Sequence, residues 1–181
     1  MKNEIPKIKL IFVGDNVQHK EAIEAKLEKE MRLPWSFLYY ENIDRAVMHL
    51  DDTDLIILDL ESRGFVQPKE IFEEIDSRVF EVPIIALTGE DEHDLAVYLM
   101  EQGAADTLIR GQFLRLVDAI EFSLIRQRIG TTARKVSEQV MTDNKIDNAE
   151  KLKDSEDKNK KEAEGHRQIL RMFKGDYSVD S

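Results

Sequence analysis

The sequence predicts an α/β fold: a single doubly wound, five-stranded parallel sheet with helices on both faces. Three observations predict it. Short apolar runs alternate with longer amphipathic stretches along the first two thirds of the chain. The run Leu55-Ile56-Ile57-Leu58-Asp59-Leu60 is apolar on both faces of a strand, as a central parallel strand must be, and it closes on an acid. The runs also end on polar residues or turn formers, at Gly14-Asp15-Asn16, Asp59, Thr88-Gly89 and Arg110-Gly111, which would gather at one sheet edge.

The elements follow in order. Ile8 to Val13 reads as a strand stopped by Gly14-Asp15-Asn16. A helix follows with Ala22, Ile23 and Leu27 on one face and Lys20, Glu21, Glu24 and Lys26 on the rest. Pro34 separates it from an aromatic-rich second strand, Trp35 to Tyr40. Asn42 or Asp44 can cap the next helix, which carries Ala46, Val47 and Leu50. Asp51-Asp52-Thr53-Asp54 reads as a solvated connection, since it lacks the glycine and distal glutamate of a calcium loop. Beyond Asp59 and Gly64, Pro68 fits the first turn of a helix bearing Ile71, Phe72 and Ile75. Pro83 to Thr88 is the fourth strand, stopped by Gly89. Asp91 to Gln102 is helical, with Gly103 as its C-terminal cap. Thr107 to Arg110 is a short fifth strand, and a strong helix begins near Gln112 with Phe113, Leu116, Val117, Ile120 and Leu124.

With 181 residues and 41% hydrophobic content, the chain can bury one core of ordinary size and still leave a tail. Residues 1–128 are expected to form that domain and residues 129–181 a charged tail, as an extended helix or disordered. Phe122, Ile129 and Val136 recur at seven-residue spacing, so the last helix could run on past Arg128 and pair with a second copy; a frayed end is the alternative. Ile169, Leu170, Met172 and Phe173 make a short amphipathic segment in a basic setting, near residues 166–174.

A formal net charge of −11 opposes binding to nucleic acid or to anionic lipid. There are no cysteines, which excludes disulfides, thiolate metal sites and thiol nucleophiles. No stretch approaches the roughly 20 apolar residues of a membrane span, and the first six residues are polar, so a soluble, unexported, cytoplasmic protein is expected.

Asp15, Asp59, Thr88 and Arg110 are the candidate site residues, because the strand ends carrying them share one edge of a doubly wound sheet. Each also has a structural reading. Asp59 could accept backbone N–H bonds in the following turn, Asp15 could cap a helix, Thr88 could bond the backbone, and Arg110 could partner a buried carboxylate. His19, His49, His93 and His166 show no ligand spacing and are expected at exposed positions.

Over about residues 7 to 128 the chain resembles the receiver domains of two-component response regulators. The resemblance rests on Gly14-Asp15 after the first strand, Leu58-Asp59-Leu60, Leu87-Thr88-Gly89, and Gly103-Ala104-Ala105-Asp106 leading into Ile109-Arg110-Gly111. It implies phosphotransfer from a histidine kinase or phosphotransfer protein to Asp59, assisted by Mg2+ held by Asp15, Asp59 and the backbone carbonyl of Glu61. It further implies that Thr88 and Arg110 meet the phosphoryl group, and that the face made by the fourth helix, fifth strand and fifth helix changes its affinity for a downstream protein target. No enzymatic activity is expected of the chain, and the homodimer it allows rests on the seven-residue spacing of Phe122, Ile129 and Val136.

Three positions depart from the family pattern. Gly14 stands where a second acid is usual, which weakens the expected metal site. Arg110 replaces a lysine, exchanging a compact ammonium for a planar guanidinium. Thr107 stands where a switching aromatic is usual. Two functions follow: a phosphorylatable receiver in a phosphorelay, acting as a stand-alone regulator, or a phosphorylation-independent pseudo-receiver that serves as a protein-interaction module. A flavodoxin-like small-molecule binder is weaker, since no glycine-rich phosphate loop follows the first strand.

Overall fold

The apolar runs become five strands: β1 (Ile8–Val13), β2 (Trp35–Tyr40), β3 (Leu55–Asp59), β4 (Ile84–Thr88) and β5 (Asp106–Ile109). The computed structural model describes residues 6–60, 67–79 and 81–175; the side chains of Asp51 and residues 170–175 lie outside that description. The strands form one parallel sheet in the order β2-β1-β3-β4-β5. Between them run α1 (Val17–Glu30), α2 (Ile43–Ala46) continued by a 3-10 turn (Val47–Asp52), α3 (Pro68–Arg78) and α4 (His93–Glu101), and α5 (Leu116–Gly175) follows β5.

Alternation along the strands sorts the core into two layers. Ile11, Val13, Ile56, Leu58, Ile84 and Ala86 pack with Ala46, Phe72, Ile75 and Leu99 of α2, α3 and α4. Leu10, Phe12, Leu55, Ile57, Ile85 and Leu87 pack with Ile23 and Leu27 of α1 and with Leu116 and Ile120 of α5. Every residue of β3 and β4 is buried, which is why neither strand shows a polar face.

Register then positions the strand ends. Val13 pairs with Leu58, so Gly14 is level with Asp59. Asp59 pairs with Leu87 and Thr88 with Ile109, so Thr88 and Arg110 each stand one residue beyond their neighbour's partner. The polar termini of β3, β4 and β5 therefore meet at one edge.

Local signals explain the boundaries. Asn42 caps α2 by accepting from the Arg45 N–H at 3.2 Å, while Pro68 sits in the first turn of α3. Gly103 takes φ +108°, the left-handed region that favours glycine, as it ends α4. The second, fourth and fifth helices differ from expectation in their bounds, and β5 runs Asp106–Ile109 rather than Thr107 to Arg110. The second helix narrows to a 3-10 turn that takes in Asp51 and Asp52, where a loop was expected. Asp52 pairs with Lys9, and the Asp54 carboxylate accepts the Lys9 N–H at 2.7 Å, which fastens the entry of β3 to β1. Helices α4 and α5 begin later than Asp91 and Gln112, because turns closed by Glu92 N–H to Gly89 and Leu116 N–H to Phe113 come first.

The chain divides into two units, Met1–Thr131 and Thr132–Ser181. Helix α5 does not fray at Arg128: it is continuous to Gly175. Its Lys, Glu and Gln residues are good helix formers, and contacts such as Gln139 to Asp143 at 2.8 Å support it one turn apart. Every described side chain from Thr132 to Ile169 is exposed. No helix among the described residues is long and apolar enough to cross a membrane.

Candidate functional site

Asp59 closes β3 and is only 1% exposed. A carboxylate this deeply buried needs partners, and among the described residues His19 and Arg110 flank it. Its Oδ2 lies 2.7 Å from Nδ1 of His19, and its Oδ1 lies 3.9 Å from Nη1 of Arg110. Since a carboxylate oxygen only accepts, the His19 Nδ1 carries the proton of that hydrogen bond.

Arg110 follows β5, and its backbone N–H donates to the Thr88 carbonyl at 2.9 Å, which ties the ends of β4 and β5 together. Its Nη2 donates to Oε2 of Glu92 at 2.8 Å, and the same oxygen accepts the Gly89 N–H at 2.5 Å. A Cβ on Gly89 would stand 2.9 Å from Arg110 Nη2 and 3.1 Å from Glu92 Oε2, so a larger residue there would push the ends of the guanidinium and carboxylate side chains aside. Thr88, 3% exposed, lies beside them.

His19 comes from the first turn of α1. Asn16 caps that helix, its Oδ1 accepting from the N–H groups of Gln18 at 3.0 Å and His19 at 3.2 Å. The Asn16 Nδ2 also lies 3.5 Å from His19 Nε2, and Phe113 meets the imidazole edge to face at 6.0 Å between ring centres. His19 therefore corrects the expectation of an exposed histidine. The signal was its place in the first helical turn after β1, which faces the edge where the strands end.

Glu92 was also missed, and for a similar reason. It immediately precedes α4, so the turn after β4 carries it back toward Arg110.

Asp15 stands at the mouth of an open cleft of about 340 Å³ with Asn16, Val17 and Gln18. Its negative charge, after burial and Glu41, helps to hold the Tyr39 phenol above its ordinary range. Glu61 lies outside the described residues. Thr107, small where a ring would be large, lines a separate cleft of about 180 Å³ with Thr88, Ala96 and Ile109.

The donor set can be tested against a divalent cation. Among the described residues no group of three or more His, Asp and Glu side chains comes together to hold a metal. Gly14 offers no side chain, and one Asp59 oxygen already faces a ring N–H. The described residues do not by themselves fit a magnesium site, and no step below is routed through one.

No family model matches the chain, and no curated protein matches it. Solved structures do. A response regulator receiver domain protein from Clostridium thermocellum superposes with TM-score 0.58 at 20% identity, covering 67% of this chain and 98% of that one. The N-terminal signal receiver domain of a two-component response regulator from Bacteroides fragilis gives 0.56 at 18%, covering 66% and 98%. A structure described as adenylate cyclase from Rhodopirellula baltica gives 0.61 at 14%, covering 74% and 98%. The order β2-β1-β3-β4-β5, with helices on both faces, is the fold of response-regulator receiver domains.

Proposed function

We propose that the protein is a signalling receiver that accepts a phosphoryl group on Asp59 from a histidine kinase or phosphotransfer protein in the cytoplasm, and thereby alters its binding to a downstream protein. The observation that supports this reading is the convergence of Asp59, Thr88 and Arg110 on three adjacent strand ends, with the guanidinium 3.9 Å from the carboxylate. An Asp59 oxygen attacks phosphorus, a P–N or P–O bond to the donor breaks, and the electron pair leaves with the donor. The product is an acyl phosphate. Arg110 offsets the charge on the phosphoryl oxygens, and the Thr88 hydroxyl donates to one of them. Because Thr107 replaces a large ring, the response travels through the β4–β5 end and the helix faces beside it.

The test is incubation with acetyl phosphate, with and without magnesium, followed by intact mass measurement. Wild type gains one phosphoryl mass that hydroxylamine removes, and Asp59→Asn gains none. A wild-type mass unchanged under both conditions overturns the reading.

A second reading is favoured by one contact, the 2.7 Å bond that already satisfies Asp59. It treats the protein as an interaction module that works without phosphate. Partner binding unaffected by Asp59→Asn supports it, and loss of phosphorylation-dependent binding opposes it.

A further inference from the structure

We propose that His19 is a latch: its hydrogen bond holds Asp59 closed, and it is the neighbour that must swing away before the carboxylate can act. This deepens the phosphoacceptor reading and rests on it. The side chain of Asp59 is 2% exposed, so no phosphoryl donor reaches its oxygens until a flanking group moves.

Among the described residues, His19 and Arg110 are not equally free to do so. Arg110 is 9% exposed, is bonded to Glu92 at 2.8 Å, and is packed where a Cβ on Gly89 would touch it. His19 is 17% exposed, and among the described residues its ring is held, apart from Asp59, by an amide nitrogen at 3.5 Å and an aromatic edge contact. A χ1 change in the first turn of α1 releases the ring without disturbing the sheet, whereas moving the Arg110 side chain breaks its bond to Glu92.

The bond also occupies one lone pair of Oδ2 and draws charge from the carboxylate, which makes it a weaker nucleophile while His19 stays in place. His19 is thus a positioning residue that sets how often Asp59 is available.

The test compares acetyl phosphate labelling rates, read by intact mass, for wild type, His19→Ala, His19→Asn and the double variant His19→Ala with Asp59→Asn. A hydrogen bond to a charged group is worth on the order of tenfold in an equilibrium, so His19→Ala should label about tenfold faster than wild type. His19→Asn restores an N–H donor near the position of Nδ1 and should return the rate toward wild type, which a general loosening of α1 would not do. The double variant should not label.

If His19→Ala labels at the wild-type rate or more slowly, the latch is overturned and the phosphoacceptor reading stands. The hydrogen bond as the latching element is overturned if His19→Ala and His19→Asn are equally fast. No labelling of any variant overturns the phosphoacceptor reading, and the latch with it.

Discussion

Replacing Arg110 with alanine tests how the site holds its buried charge. At 3.9 Å, two unit charges interact by roughly 4 kcal/mol at an effective dielectric near 20, which is a gross figure before desolvation. Breaking a buried pair outright costs about 3–5 kcal/mol. Here His19 stays on Asp59, so Arg110→Ala should cost less, roughly 2–3 kcal/mol. The lost contact to Glu92, whose side chain is 40% exposed, adds only about 0.5 kcal/mol. In an Asp59→Asn background the carboxylate charge is gone, and the same truncation should cost about 1 kcal/mol. The predicted coupling is therefore about 1.5–2.5 kcal/mol. Urea unfolding followed by fluorescence measures it, because the single tryptophan, Trp35, packs against the apolar layer behind β1 and lies in the unit that holds the site. A coupling below about 0.3 kcal/mol would refute the view that Arg110 and Asp59 sense each other's charge.

Three other perturbations follow from the same geometry. Asn16→Ala removes the cap of α1 and should cost about 1 kcal/mol in urea unfolding; because it also frees the His19 ring, it should speed acetyl phosphate labelling. Phe72→Ala empties a fully buried site between α3 and the sheet, and should cost about 3–5 kcal/mol without changing the labelled residue. Tyr39→Phe should be neutral or stabilising by about 1 kcal/mol, since among the described residues the phenol oxygen is buried with no hydrogen-bond partner. Burial, then Glu41 and Asp15, raise the Tyr39 pKa, so its contribution is present below the ordinary tyrosine range and is lost as pH rises through the folded value. Unfolding titrated into alkali should show a shallower loss in Tyr39→Phe than in wild type.

The sheet was legible because its strands are short, apolar on both faces and closed by turn formers, as Leu55-Ile56-Ile57-Leu58 shows. Asp59, Thr88 and Arg110 were legible for the same reason: each stands at the end of such a run, and parallel register brings successive strand ends together. His19 was not. Nothing in its neighbours' composition marks it, and only the turn geometry set by Asn16 aims the ring at a residue forty positions away. Glu92 escaped for the corresponding reason at the β4–α4 turn. The end of α5 was ambiguous because Lys- and Glu-rich sequence suits both a solvated helix and a disordered tail, and propensity alone does not choose between them.

Formation of an acyl phosphate on Asp59 itself is what makes the protein a receiver in function. Borohydride reduces an aspartyl phosphate to homoserine, so treating the acetyl phosphate-incubated protein with borohydride and mapping its peptides by mass spectrometry names the modified residue directly. The expected result is homoserine at position 59, at a higher fraction in His19→Ala than in wild type, and no homoserine in place of any other aspartate. Homoserine at Asp15 or another carboxylate, or at no position, would contradict it.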